Sequence, residues 1–168
     1  LPLADNMEEL ISLDRVCSEN RIVLLIKTHV LQADSDIQWD KLTNISHTDN
    51  QVLRKENVNL YELLAKTDAL LTDYSSVAID YLLLDRPMGF ILTDFDEYEK
   101  ARSWCYDNVK DYMPGHHIYK KEDLNQFISD VAEGKDPYRD ARAKVRPELQ
   151  TESESYCKDI LDHFGITL

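Results

Sequence analysis

Glycine is scarce: four residues in 168, forming neither G-x-G-x-x-G nor GxxxxGK[ST]. That excludes the glycine-rich phosphate loops of dinucleotide-binding and P-loop proteins. No G-x-S-x-G elbow occurs, which argues against an α/β-hydrolase. The three cysteines, Cys17, Cys105 and Cys157, are far apart and form no CxxC pair. They read as free thiols in a reducing compartment, not as a disulfide framework. With five histidines they make no metal-ligand spacing, so neither a metal nor a cofactor is expected. No stretch approaches the ~18 uncharged apolar residues of a membrane helix. No basic segment leads into an apolar run at the start, so no secretory signal is read. The chain does not begin with Met, as a piece of a longer protein would not. Positive charge is also short, with 19 Lys and Arg against 32 Asp and Glu. The resulting net charge of −13 is spread over both halves. Such a field repels polyanions, and no nucleic-acid partner is expected.

What is present is a globular composition, 43% apolar, in one domain-sized chain. Strand and helix signals alternate. Asp5 to Glu19 has apolar residues at helical spacing. Arg21 to Ile26 (RIVLLI) is the short apolar run of a strand buried on both faces. Leu42 to Ser46 is a second candidate strand. Asn59 and Glu62 mark a helix start over about Leu60 to Ala65. ALLT (Ala69 to Thr72) is a strand, and Ser75 to Leu84 a helix apolar on nearly every side. Pro87 to Leu92 is the next strand. Asp94 and Glu97 repeat the capping spacing before a helix ending near Arg102. Ser103 to Gly115 reads as a long loop, and His117 to Tyr119 as a short strand, while the adjacent pair His116-His117 is otherwise read as lying in a loop. Lys121 to Glu133 is a helix stopped by Gly134. Asp136-Pro137 opens another, and Thr151-x-x-Glu154 caps a last one that stops at Gly165. The alternation predicts an α/β fold, a parallel sheet with helices on both faces.

In such sheets ligands bind beyond the carboxyl ends of the strands. That rule selects Lys27-Thr28-His29, His47-Thr48-Asp49, Asp73-Tyr74-Ser75-Ser76 and Thr93-Asp94, all on one rim. The third set is the most informative. A strand passes through a polar turn directly into a helix with two serines at its start. Unsatisfied N–H groups and the dipole of that helix make a seat for a phosphate oxygen. The plainer alternative is that Asp73 or Ser75 only caps the helix. Lys27 and His29 would bring a cation and a switchable donor to a diphosphate. Arg139, Arg142, Lys144 and Arg146 read as a solvated helix face, with some attraction to an anionic bilayer but no strong apolar side to insert.

The stretch LYELLAKTDALLTDYSSVAIDYLLLDRPMGFI, Leu60 to Ile91, resembles the signature of the CDP-glycerol glycerophosphotransferase family of teichoic-acid polymerases and primases. DFDEYEKAR (Asp94 to Arg102), Tyr106-Asp107, Pro114-Gly115 and the upstream LLIKTH fit the same family. The resemblance implies a GT-B enzyme of two Rossmann-like domains, of which residues 1–168 match the C-terminal, donor-nucleotide-binding one, with the N-terminal half absent. It also implies roles. His29 would act at the diphosphate or its leaving group as the catalytic residue this chain supplies, with Val30 standing where the family has Pro. Ser75 and Ser76 would bind phosphate, and Thr72 and Asp73 would shape their turn. Lys27 and Arg102, with Ser103 where the family often has Gly, would approach phosphate. Glu97 would contact ribose or cytosine. The catalytic base would come from the other domain. The implied partners are CDP-glycerol or a similar nucleotide-activated donor and a polyol-phosphate acceptor. The implied location is the cytoplasm, at the inner face of the cell membrane, which only the full-length protein touches, and peripherally. Two other classes share the fold: the donor domain of another GT-B nucleotide-sugar glycosyltransferase, and a non-catalytic α/β partner-binding module. A receiver-type module would need acidic residues after its first strand, where this chain has Lys-x-His.

Overall fold

The computed structural model describes residues 4, 6–27, 37–102, 104, 106–150 and 155–166. Helix α1 (Met7–Glu19) starts where Asn6 accepts the Glu9 amide, and it leads into strand β1 (Leu24–Lys27). A 3-10 turn (Trp39–Lys41) precedes β2 (Ile45–Thr48), which pairs parallel with β1. This strand lies later than the apolar run predicts, and the reason is Asp14. Its Oδ1 on α1 accepts the amides of Thr43, Asn44 and Ile45 at 3.1, 2.7 and 2.9 Å, which fixes the entry to the ladder.

Helices α2 (Asn50–Lys55) and α3 (Leu60–Leu64) follow, then β3 (Leu70–Thr72). The expected long helix after β3 is shorter, α4 (Val77–Tyr81), and tightens into a 3-10 turn (Leu82–Leu84). Then come β4 (Met88–Ile91), α5 (Phe95–Arg102), a 3-10 turn (Val109–Tyr112) and β5 (His116–Ile118). The adjacent histidines therefore open a strand instead of lying in a loop. The chain closes with α6 (Lys121–Ala132), α7 (Arg139–Leu149) and α8 (Tyr156–His163). Gly134 and Gly165 end α6 and α8 in the left-handed region, as expected. The proposed capping box at Thr151 and Glu154 lies outside the described residues.

Strands β3, β4 and β5 form a second parallel set, in that order. The two faces of this sheet carry different cores. Leu70, Met88 and Phe90 face Tyr81, Leu82, Phe95 and Met113. Leu71 and Ile118 face Leu124, Phe127 and Ile128 of α6, together with Cys17 of α1 and Ile45 of β2. That second cluster takes side chains from both strand sets, so they share one core. Helices cover both faces of the β3–β5 set, as the alternation predicts, whereas β1 alternates half-buried and exposed residues, with Leu25 exposed, and is not buried on both faces as its apolar run predicts. Each such side chain contributes roughly 1.5–3 kcal/mol on burial. Burial pushes the Cys17 thiol up to about 11, which keeps it an inert core residue, whereas Cys157 is exposed.

The four-cation segment departs from its sequence reading. Arg142 is 1% exposed, its Nη atoms donating to both oxygens of Asp136 at 2.8 and 2.5 Å and its Nε to Asp85 Oδ1 at 3.2 Å. Asp136 was expected as the helix cap. α7 instead begins after Tyr138, and the Arg142 guanidinium holds the Asp136 carboxyl below its ordinary range.

Two stability predictions follow from the packing. A Cβ at Gly115 would lie 2.3 Å from the Met88 carbonyl oxygen, whereas at Gly134 it meets only open space. Gly115→Ala is expected to destabilise by roughly 3 kcal/mol in denaturant titrations, and Gly134→Ala by about 1–2 kcal/mol from its left-handed backbone alone. Burial pushes the His116 imidazole below its ordinary 6.5, outweighing Asp130, 3.4 Å away, and Asp136. The unfolded chain therefore takes up the proton first. Stability is full above pH 6.5 and is lost as pH falls from there toward the folded value. Melting temperatures at pH 7.5 and 5.5 should differ less in His116→Gln than in the wild type.

Candidate functional site at the carboxyl ends of the strands

Parallel pairing puts strand ends side by side. In one set Lys27 is in register with Thr48, and in the other Thr72 with Phe90 and Ile91 with Ile118. Lys27 is exposed at the end of β1. Asp49 follows β2 and accepts the Gln51 and Val52 amides at 2.7 and 2.8 Å, capping α2. Those amides, Val52 foremost, hold its carboxyl below the usual range, and His47 and Lys27 add to the effect. The short helix α2 escaped the sequence reading because its N-cap looked like a rim residue. His47 itself lies within β2, its ring stacked on Trp39 at 4.6 Å. His29 lies outside the described residues, as do Thr28 and Ser103.

The turn after β3 is built in detail. Thr72 is buried as the last residue of the strand, and Asp73, Ser75 and Ser76 are exposed. Asp73 Oδ1 accepts the Ser75 amide at 3.0 Å, and Ser75 Oγ accepts the Val77 amide at a long 3.5 Å. The capping reading thus describes Asp73 and Ser75 partly. Ser76 is the N-cap of α4 without a side-chain capping bond. Its amide and hydroxyl meet no partner among the described residues. These are the donors the turn presents.

The loop after β4 meets this turn. The Tyr74 hydroxyl donates to Asp94 Oδ1 at 2.8 Å. Asp94 stands directly before α5, as its capping spacing predicts, with its carbonyl accepting the Glu97 and Tyr98 amides at 3.1 and 2.9 Å, while its carboxylate is engaged by Tyr74. Glu97 is exposed in the first turn of α5. Arg102 is the last residue of that helix, about 10 Å along its axis from the rim, so the structure does not bring it to the Ser75 turn. Sequence reasoning places Tyr74 in the rim set without giving it a role, and it passes over Lys110. The Lys110 Nζ sits 3.9 Å over the Phe95 ring and 5.3 Å from that of Tyr119, where β4 and β5 end. The spacing of Phe95, Tyr98 and Trp104 beside a polar turn was the available signal.

Away from the turn, a cleft of about 400 Å³ runs between α1 and α6, lined by Asn6, Glu9, Ser12, Lys121 and Asn125 among others. None of the predicted site residues lines it.

The family model for CDP-glycerol:poly(glycerophosphate) glycerophosphotransferases matches residues 6–153. The chain belongs to that family. Among curated relatives, the teichoic acid poly(ribitol-phosphate) polymerase of Bacillus spizizenii is 46% identical over 74 residues, 44% of this chain and 11% of the relative. The teichoic acid glycerol-phosphate primase of Bacillus subtilis is 30% identical over 126 residues, 73% of this chain and 29% of the relative. The chain thus spans between about a tenth and a third of these relatives' length. A variant of the wall teichoic acid polymerase TagF aligns in structure with a TM-score of 0.53 at 18% identity, covering 96% of this chain and 48% of that one. The α/β fold is therefore shared with about half of a teichoic acid polymerase.

If Ser75 and Ser76 hold a phosphate, replacing both with Ala should weaken CDP binding by roughly tenfold to several hundredfold and leave cytidine binding nearly unchanged. Calorimetric titration of both ligands checks this. A lower melting temperature with intact CDP affinity would reduce the pair to a helix cap.

Proposed function

We propose that this chain is the donor-nucleotide-binding domain of a glycerophosphotransferase in teichoic-acid or related cell-surface polymer synthesis. The observation that carries the reading is the turn Asp73–Ser76 at the carboxyl end of β3, with Asp73, Ser75 and Ser76 exposed and the Ser76 amide and hydroxyl meeting no partner among the described residues, in a chain of this family. Both donors suit an anionic oxygen at a helix start, and no glycine-rich loop is required. A TagF structure of the same fold (TM-score 0.52) was soaked with CDPG, which supports a CDP-linked polyol as the donor class. Relatives named for ribitol phosphate and for glycerol phosphate favour the CDP portion as the part gripped in common.

In the proposed reaction an acceptor hydroxyl oxygen attacks the polyol-side phosphorus of the donor. The new P–O bond forms as the bond to CMP breaks, CMP leaves with the electron pair, and the hydroxyl proton goes to a base on another domain. Serine and backbone donors here stabilise charge that grows on the diphosphate. Thr72 and Asp73 hold the turn, and Lys27 and His29 serve the diphosphate from the end of β1. Glu97 faces the nucleoside, while Arg102, at the far end of α5, takes no part in holding the phosphate. The site for the polyol-phosphate acceptor belongs to the longer protein. That protein works in the cytoplasm at the inner membrane face, which it meets peripherally; no described helix is long and apolar enough to cross a membrane.

The 168-residue chain should bind CDP and CDP-glycerol more tightly than UDP, yet release no CMP from CDP-glycerol with acceptor supplied. Equal affinity for UDP would favour a nucleotide-sugar glycosyltransferase. CMP release by this chain alone would show that no second domain is needed.

A further inference from the structure

Tyr74 stands between Asp73 and Ser75, yet its side chain leaves the turn. Its ring centroid lies 4.2 Å from that of Tyr98, 5.2 Å from Trp104 and 6.2 Å from Phe95. Phe95 stacks on Trp104 at 5.0 Å, and Lys110 sits over Phe95 at 3.9 Å. At the far edge of the same ring the hydroxyl reaches Asp94 at 2.8 Å. One side chain thus joins the loop after β3 to the loop after β4 and to the side of α5.

The turn needs such an anchor. Helix α4 has five residues, too few for its own hydrogen bonds to hold its first turn rigid. Asp73, Ser75 and Ser76 are exposed, and Tyr74 alone of the four is half-buried. Asp73 braces the Ser75 amide within the turn, and Tyr74 is the residue of the four that ties the turn to the neighbouring loop and helix.

The geometry points to Tyr74 as a positioning residue, which through its hydroxyl bond to Asp94 and its seat in the α5 aromatic stack aims Ser75 and Ser76 at the donor's phosphate. This rests on the phosphate reading of the turn. Burial and the acceptor at Asp94 push the phenol well above its ordinary range, so the hydroxyl keeps its proton and goes on donating. Asp94 serves here as the acceptor of that bond. A bare carboxylate beside a diphosphate repels it, and the bond to Tyr74 gives that carboxylate a structural use.

Titrating CDP and cytidine into Tyr74→Phe, Asp94→Ala, Asp94→Asn and the double serine variant separates the possibilities. Tyr74→Phe keeps the ring in its stack and loses only the bond. It is expected to weaken CDP about three- to tenfold and leave cytidine unchanged. Asp94→Ala should match it although it removes a negative charge. Asp94→Asn keeps an acceptor and should bind CDP at least as well as the wild type. Combining Tyr74→Phe with Asp94→Ala should add nothing to either alone. The proposal is overturned if Tyr74→Phe keeps its CDP affinity while the double serine variant loses it, and the phosphate reading then stands. It is also overturned if Asp94→Ala binds CDP more tightly than the wild type, since charge alone would then be at work, or if CDP and cytidine fall together. If the double serine variant keeps its CDP affinity, both the reading and the proposal fail.

Discussion

A guanidinium removed from water holds the crossover on which the candidate site stands. Arg142 reaches from α7 to Asp85, donating to its carboxylate and, at 3.4 Å, to its carbonyl, while Asp136 closes the other side. Asp85 adopts φ 46°, a left-handed turn unusual for a residue with a side chain. Arg142 is buried while Asp85 and Asp136 stay partly open to solvent, so removing either carboxylate leaves a buried guanidinium short of a partner. The next residue is fixed as well, since the Arg86 guanidinium donates to the carbonyls of Ala65 and Thr67. Gln150 donates to the Ile79 carbonyl at 2.7 Å, and the Tyr81 hydroxyl meets Thr67 Oγ1 at 2.9 Å. The five-residue helix α4 is thereby gripped at its C-terminal end from three directions.

At the other end of that helix lies the turn from Asp73 to Ser76. The clamp fixes where α4 stops, and the bond from Tyr74 to Asp94 fixes where it starts. Between them the helix has little freedom, and its first donors are presented at the rim. Preorganised donors of this kind suit a protein of net charge −13, whose overall field does not draw an anion in. On the proposed reading, recognition of a diphosphate at this turn is local.

The parallel α/β order was legible because period and punctuation are local. RIVLLI and ALLT, and the run from Pro87 to Leu92, are short apolar runs bounded by polar turns; the last two each contain a strand, and the first holds all of β1 but its final Lys27. What escaped depends on contacts between residues far apart in sequence. Asp14 sets the start of β2 from across 31 residues, and Arg142 sits 57 positions from Asp85. A cation in a run with three others looks solvated until its carboxylate partners are known. The turn at Ser75 was legible as a strand running into a helix with two hydroxyls. Its anchor was not, since nothing in the letters D-Y-S-S says that the tyrosine turns away toward Asp94 and the rings of α5.

The central claim is that a nucleoside diphosphate sits on the turn after β3. Amide chemical-shift mapping of the labelled chain during a CDP titration tests it most directly. The account predicts that the largest shifts fall on Ser75, Ser76 and Val77, with smaller ones at Asp94 and Lys27, and that cytidine leaves the serine amides unmoved. Shifts concentrated on Asn6, Ser12 and Asn125 in the cleft between α1 and α6, with the Ser75 turn silent, would contradict it.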